Sequence, residues 1–163
     1  MNPKTQKMRP SLKHLAVSAL CLMAALQLNA RPPMGVAATY NFATEYQQHG
    51  FGAKLCLDVF GPWRLEPEMV YFAQSDDVTT LQLNVNVHYV MPMISRLYLY
   101  PFAGISYSHW GYVGPDHSRW GMNLGGGAEF TLGQRWSVIG EFRYMLVSHE
   151  TQAITTLGIK RLF

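Results

Sequence analysis

The chain has 163 residues, 48% hydrophobic and 14% charged, with a formal charge of +3. That length fits one domain. The positive surplus sits in the first thirty residues, where Lys4, Lys7, Arg9 and Lys13 meet no acid. The remainder carries nine basic against ten acidic residues, so the overall charge does not point to nucleic acid.

Residues 1–30 read as a secretory signal peptide and 31–163 as the exported domain. The basic start precedes an apolar run at 15–28, shorter than the roughly 20 residues a helix needs to span a bilayer. Leu28-Asn29-Ala30 then offers a cleavage site. A lipoprotein reading would use Cys21, but Leu20 before it is not the small residue such a site needs. With Cys21 removed, Cys56 stands alone and no intrachain disulfide forms. No stretch of the exported domain approaches the length of a helical span.

Eight strands follow from period-2 alternation. The first, 34–43, is rich in small residues, with Tyr40 and Phe42 in step. Residues 47–50 break it. The second, 51–60, sets Phe51, Ala53, Leu55, Leu57 and Val59 against Gly52, Lys54, Cys56 and Asp58, and Gly61-Pro62 turns the chain. The third, 63–74, sets Leu65, Met69, Tyr71 and Ala73 against Arg64, Glu66 and Glu68, with Pro67 as a blemish because it lacks a ladder donor. Residues 75–77 turn. The fourth, 81–91, sets Leu81, Leu83, Val85, Val87 and Tyr89 against Gln82, Asn84, Asn86 and His88.

A turn at 92–96 leads to the fifth strand, 97–109, which is apolar on both parities, so its facing stays open. Residues 110–119 form the longest loop. In the sixth strand, 120–130, the run Gly125-Gly126-Gly127 indicates close backbone approach or strong curvature. The seventh, 136–146, sets Trp136, Val138, Phe142, Tyr144 and Leu146 against Ser137, Glu141, Arg143 and Met145. The eighth, 153–163, ends on Phe163.

Strands of this length cross hydrocarbon when tilted, and in lipid a sheet must close because no backbone group tolerates an unpaired edge. The polar parity supplies the expected barrel interior: Lys54, Asp58, Glu66, Glu68, Asn84, Asn86, His88, Glu129, Glu141, Arg143 and Lys160. Eight strands leave room only for side chains, so these residues form an ionic plug rather than a wide pore. Cys56 reads as a small interior residue. Arg161 takes the lipid-facing parity and is expected to snorkel to the membrane surface. Two aromatic girdles are expected. Phe60, Trp63, Phe130 and Trp136 lie at the strand ends near Phe163, while Tyr46, Trp110 and Trp120 lie at the opposite ends.

Several stretches carry a family resemblance. They are Phe51-Gly52-Ala53-Lys54, Arg64-Leu65-Glu66, the run 83–89, Tyr100-Pro101-Phe102-Ala103-Gly104, Gly125-Gly126-Gly127 and the terminal Phe163. On these the domain resembles the small eight-stranded outer-membrane barrels of the OmpA/OmpX type, the single-domain porin-family outer membrane beta-barrel proteins. The resemblance implies an all-β, antiparallel up-and-down transmembrane β-barrel in the outer membrane of a Gram-negative bacterium. It also implies contact with outer-membrane lipids and lipopolysaccharide, and assembly by the outer-membrane insertion machinery, which recognises a last strand ending in Phe163. Arg161 departs from the usual aromatic or apolar residue two places before the end.

Such barrels act as structural proteins, adhesins, narrow channels or enzymes. Asp116-His117-Ser118 and Ser106-Tyr107-Ser108-His109 hold the residue types of an acyl hydrolase. Adjacent loop residues rarely point at one another, however, and Ser106 and Ser108 oppose His109 in parity. His88 beside Glu66, Glu68 or Glu141 suits a proton path or metal site, against the plainer reading of a satisfied interior histidine. His49, His109, His117 and His149 lie near the outer rim without a ligand spacing. No catalytic, cofactor-binding or metal site is therefore assigned. The leading expectation is a structural or surface-interaction barrel meeting a ligand through its external loops. A narrow channel, a lipid A-modifying enzyme and a soluble lipocalin-like barrel are the alternatives.

Overall fold

The computed structural model describes residues 34–45, 47–75, 78–111, 117–147 and 150–163. Every regular element among them is a strand: β1 (Met34–Ala43), β2 (Gln48–Phe60), β3 (Trp63–Ser75), β4 (Val78–Tyr89), β5 (Met91–Ile94), β6 (Leu97–Gly111), β7 (His117–Thr131), β8 (Trp136–Val147) and β9 (Glu150–Leu162). Neighbours pair antiparallel in the order β4-β3-β2-β1-β9-β8-β7-β6-β5, and β4 also pairs with β6. Together these pairings form a closed cylinder, in which β1 against β9 joins the first strand to the last. β4 and β5 share one place in the ring, interrupted at Val90, whose N–H donates to the Pro62 carbonyl at 2.8 Å. The barrel is therefore eight-stranded.

Both ends of the paired sheet, Gly35 opposite Leu162, lie at one rim. The turns at 61–62, 95–96 and 132–135 lie there too, and we refer to this rim as the terminal end. At the distal end the strands are joined by 44–47, 76–77, 112–116 and 148–149.

Backbone pairing runs further than side-chain alternation does. Gln48, His49 and Gly50, expected in a break, pair with Ala43, Phe42 and Asn41. Pro92, expected in a turn, pairs with Tyr98, so the turn shrinks to Ser95 and Arg96. Proline is tolerated where its nitrogen has no ladder role. The leader at 1–30 with Cys21, and likewise Tyr46, Asp116 and His149, lie outside the described residues. So do the side chains of Trp110 and His117.

Alternation also decides the two faces. Along β8, Ser137, Ile139, Glu141, Arg143, Met145 and Val147 are buried while Trp136, Val138, Phe142, Tyr144 and Leu146 are exposed. β6, whose facing the sequence leaves open, turns Tyr100, Phe102, Ser106 and Ser108 inward and Pro101, Ala103 and Ile105 outward. Charges lie inside and large apolar side chains outside, with Phe51, Met122 and Leu157 all more than half exposed. That arrangement excludes the soluble lipocalin-like alternative, which needs the reverse.

The glycine run explains how β6 turns aromatics inward. A Cβ on Gly127 would come within 2.7 Å of the Tyr100 ring, and one on Gly125 within 2.6 Å of Phe102. The bare backbone of β7 gives both rings a flat surface to lie on.

Candidate functional site

The interior is built in tiers. At the terminal end, β2, β3, β7 and β9 bring together Asp58, Arg64, Glu129 and Lys160. Arg64 Nε donates to Asp58 Oδ1 at 2.6 Å and its Nη1 to Glu129 Oε2 at 2.8 Å, while Lys160 pairs with the other Glu129 oxygen. Two acids meet two bases, and Asp58 remains partly open to solvent. A cavity of about 590 Å³ opens here, with Arg64, Tyr98 and Glu129 among its walls.

The central tier is fully enclosed. Lys54 Nζ donates to Glu66 Oε1 at 3.0 Å and to Glu141 Oε2, and lies 3.7 Å from Glu68 Oε1. Arg143 pairs with Glu68, which also accepts from Asn84 Nδ2 at 3.0 Å. Asn123 Nδ2 in turn donates to Asn86 at 3.0 Å and to Asn84 at 3.2 Å. Three carboxylates thus face two cations.

His88 completes this tier. Its ring stacks between Tyr100 and Phe102, with centroids 4.9 and 4.8 Å away. It is fully buried, yet neither ring nitrogen has a hydrogen-bond partner among the described residues. Its Nε2 lies 3.5 Å from Glu66 Oε1.

Toward the distal end the filling loses its charge. Thr156 donates to Asn41 at 2.6 Å, and Asn41 to Thr39 at 3.0 Å. Beyond them Ala43, Val70, Phe72 and Ile154 pack as a buried apolar cluster. Sequence reasoning missed this apolar cluster, although Val70 and Phe72 share the parity of Glu66 and Glu68.

The outward face carries the girdle residues. Phe60, Trp63, Phe130 and Trp136 are exposed toward the terminal rim and Trp120 toward the distal rim. Arg161 lies over the rings of Trp136 and Phe163, 5.7 and 5.3 Å from their centroids. An aromatic surround of this kind holds a guanidinium at an interface. His49 meets Tyr40 on the outer wall. His109 Nδ1 and Ser118 Oγ lie 2.9 Å apart, a pairing that the sequence reading did not combine. The two are direct cross-strand partners in the β6–β7 register, which by itself accounts for the contact.

Residues 14–159 match the family model described as an outer membrane protein beta-barrel domain. Among solved structures, the N-terminal β-barrel domain of Pseudomonas aeruginosa OprF superposes with a TM-score of 0.73 at 11% identity, over 82% of this chain and 98% of that one. Neisserial surface protein A gives 0.60 at 13%, over 82% and 98%. Yersinia pestis Ail in a phospholipid bilayer nanodisc gives 0.60 at 13%, over 81% and 99%. Ail has also been crystallised in complex with the heparin analogue sucrose octasulfate. At these identities the likeness is one of fold. Among curated proteins none matches the chain.

Proposed function

Because the chain belongs to the outer membrane protein beta-barrel domain family, we propose that it is a closed, non-conducting barrel with a structural or surface-interaction role. Family membership implies the outer membrane of a Gram-negative cell. In this reading the terminal end faces the periplasm and the distal end faces outward. The apolar outer wall meets outer-membrane lipids and lipopolysaccharide, and the insertion machinery meets β9 and Phe163.

The observation that carries the reading is the filled interior. A conducting barrel needs a continuous water path, whereas here paired charges give way to a buried apolar cluster of Ala43, Val70, Phe72 and Ile154. Purified protein in planar bilayers is expected to show no discrete conductance steps. Reproducible steps would overturn this reading in favour of a narrow channel.

Surface contact falls to the rim rather than to long loops, because the distal connections at 44–47, 76–77, 112–116 and 148–149 are short. A surface ligand would meet exposed rim groups such as Trp120 and His49.

The barrel is proposed to be non-catalytic. Ser106 and Ser108 are buried in the interior, and the His109–Ser118 contact follows from register. Incubation with lipopolysaccharide is expected to leave its acyl chains unchanged by mass spectrometry. Loss of a chain that disappears in Ser118→Ala would establish a hydrolase instead.

A further inference from the structure

Charge, geometry and an unsatisfied ring converge on one point in the central tier. Glu66, Glu68 and Glu141 outnumber Lys54 and Arg143 by one, and all five side chains are buried. An uncompensated buried charge is strongly unfavourable, and a divalent ion with Arg143 balances the three carboxylates once Lys54, displaced, gives up its proton. His88 supplies a buried imidazole whose nitrogens make no hydrogen bond among the described residues. One donor atom each from Glu66, His88 and Glu141 lies within 4.8 Å of the others.

The two carboxylates are held in a way that suits a ligand role. Glu66 Oε2 accepts from the Cys56 thiol at 3.2 Å, and Glu141 Oε1 accepts from the Tyr100 hydroxyl at 2.9 Å. Their remaining oxygens, Glu66 Oε1 and Glu141 Oε2, both face Lys54 Nζ. Neutral donors on the outer oxygens orient the inner ones, as outer partners do around metal ligands. The imidazole is fixed by its stacking between Tyr100 and Phe102. One nitrogen and two carboxylate oxygens form a set suited to zinc.

We propose that Glu66, His88 and Glu141 form an intrabarrel site for one divalent transition-metal ion of the zinc class, acquired as the barrel folds. Lys54 is the resident competitor. It has somewhere to go, because Glu68 already lies 3.7 Å from its ammonium and can retain it when an ion takes the other two carboxylates.

The test refolds urea-unfolded, metal-free protein into detergent with Zn2+ present, desalts it and measures bound zinc. Wild type is expected to retain about one ion per chain. His88→Gln and Glu141→Gln are expected to retain below about a tenth of that, while still showing the folded mobility of unheated samples on gels. Retention by wild type below that same level overturns the proposal. So does wild-type retention in His88→Gln, which would place the ion on rim histidines such as His49 and His109. If either variant fails to fold, zinc-edge X-ray absorption of wild type decides. A single imidazole with oxygen donors supports the site, and several imidazoles refute it.

Discussion

Replacing Lys54 by methionine is expected to destabilise the folded barrel by about 3–5 kcal/mol, the cost of removing one partner from a buried ion pair. Lys54 lies among Glu66, Glu68 and Glu141, and its side chain is fully enclosed. Without it, three carboxylates face Arg143 alone. Methionine keeps most of the volume, so the loss reports charge rather than packing. The double variant Lys54→Met with Glu141→Gln removes one charge of each sign and is expected to recover most of the loss, because the two sites are directly coupled. Urea titration in lipid vesicles with a chelator present, read by gel mobility, measures both. A single variant unfolding at the wild-type urea concentration would show that the tier is not held by its ion pairs.

Gly125→Val is expected to abolish assembly, at a cost of about 3 kcal/mol or more from overpacking. Its neighbour Gly126→Val is expected to fold normally. A Cβ on Gly125 would strike both the Phe102 ring and the Phe142 carbonyl oxygen, which is backbone and cannot yield. At Gly126 the nearest atom is the Tyr100 carbonyl oxygen at 3.5 Å, an ordinary contact. A β-branched side chain also suits a strand there. Expression in the outer membrane and the heat-dependent gel shift separate the two outcomes. Equal behaviour of the pair would mean that the inward glycines do not serve the aromatic stack.

Much of the architecture was legible in the sequence wherever one parity is charged and the other apolar. The run 83–89 and β8 display their facing without any structure. β6 does not, because its inward side is aromatic for a reason found on other strands: Tyr100 and Phe102 lie on the glycines of β7 and clasp His88 of β4. Strand ends were read short for a related cause, since ladder hydrogen bonds extend through residues such as Gln48 and Pro92 whose side chains give no pattern. The apolar cluster was hidden because Val70 and Phe72 occupy the face that Glu66 and Glu68 mark as polar. The nearness of Glu66, His88 and Glu141 needs the register of β3, β4 and β8, which no single stretch encodes. Parity placed His88 inside, but only the packing shows that its nitrogens make no hydrogen bond among the described residues.

The cylinder is shut by β1 against β9, and Asn41 on the first strand accepts from Thr156 on the last across that joint. The contact spans the widest sequence separation among the described strand pairings, so its entropic cost falls due before the joint yields any stabilisation. Until it forms, two rows of unpaired amides and carbonyls remain open, a state that hydrocarbon does not tolerate and that invites pairing with other chains. Entry into the bilayer and sealing of this joint are therefore expected to be coupled steps.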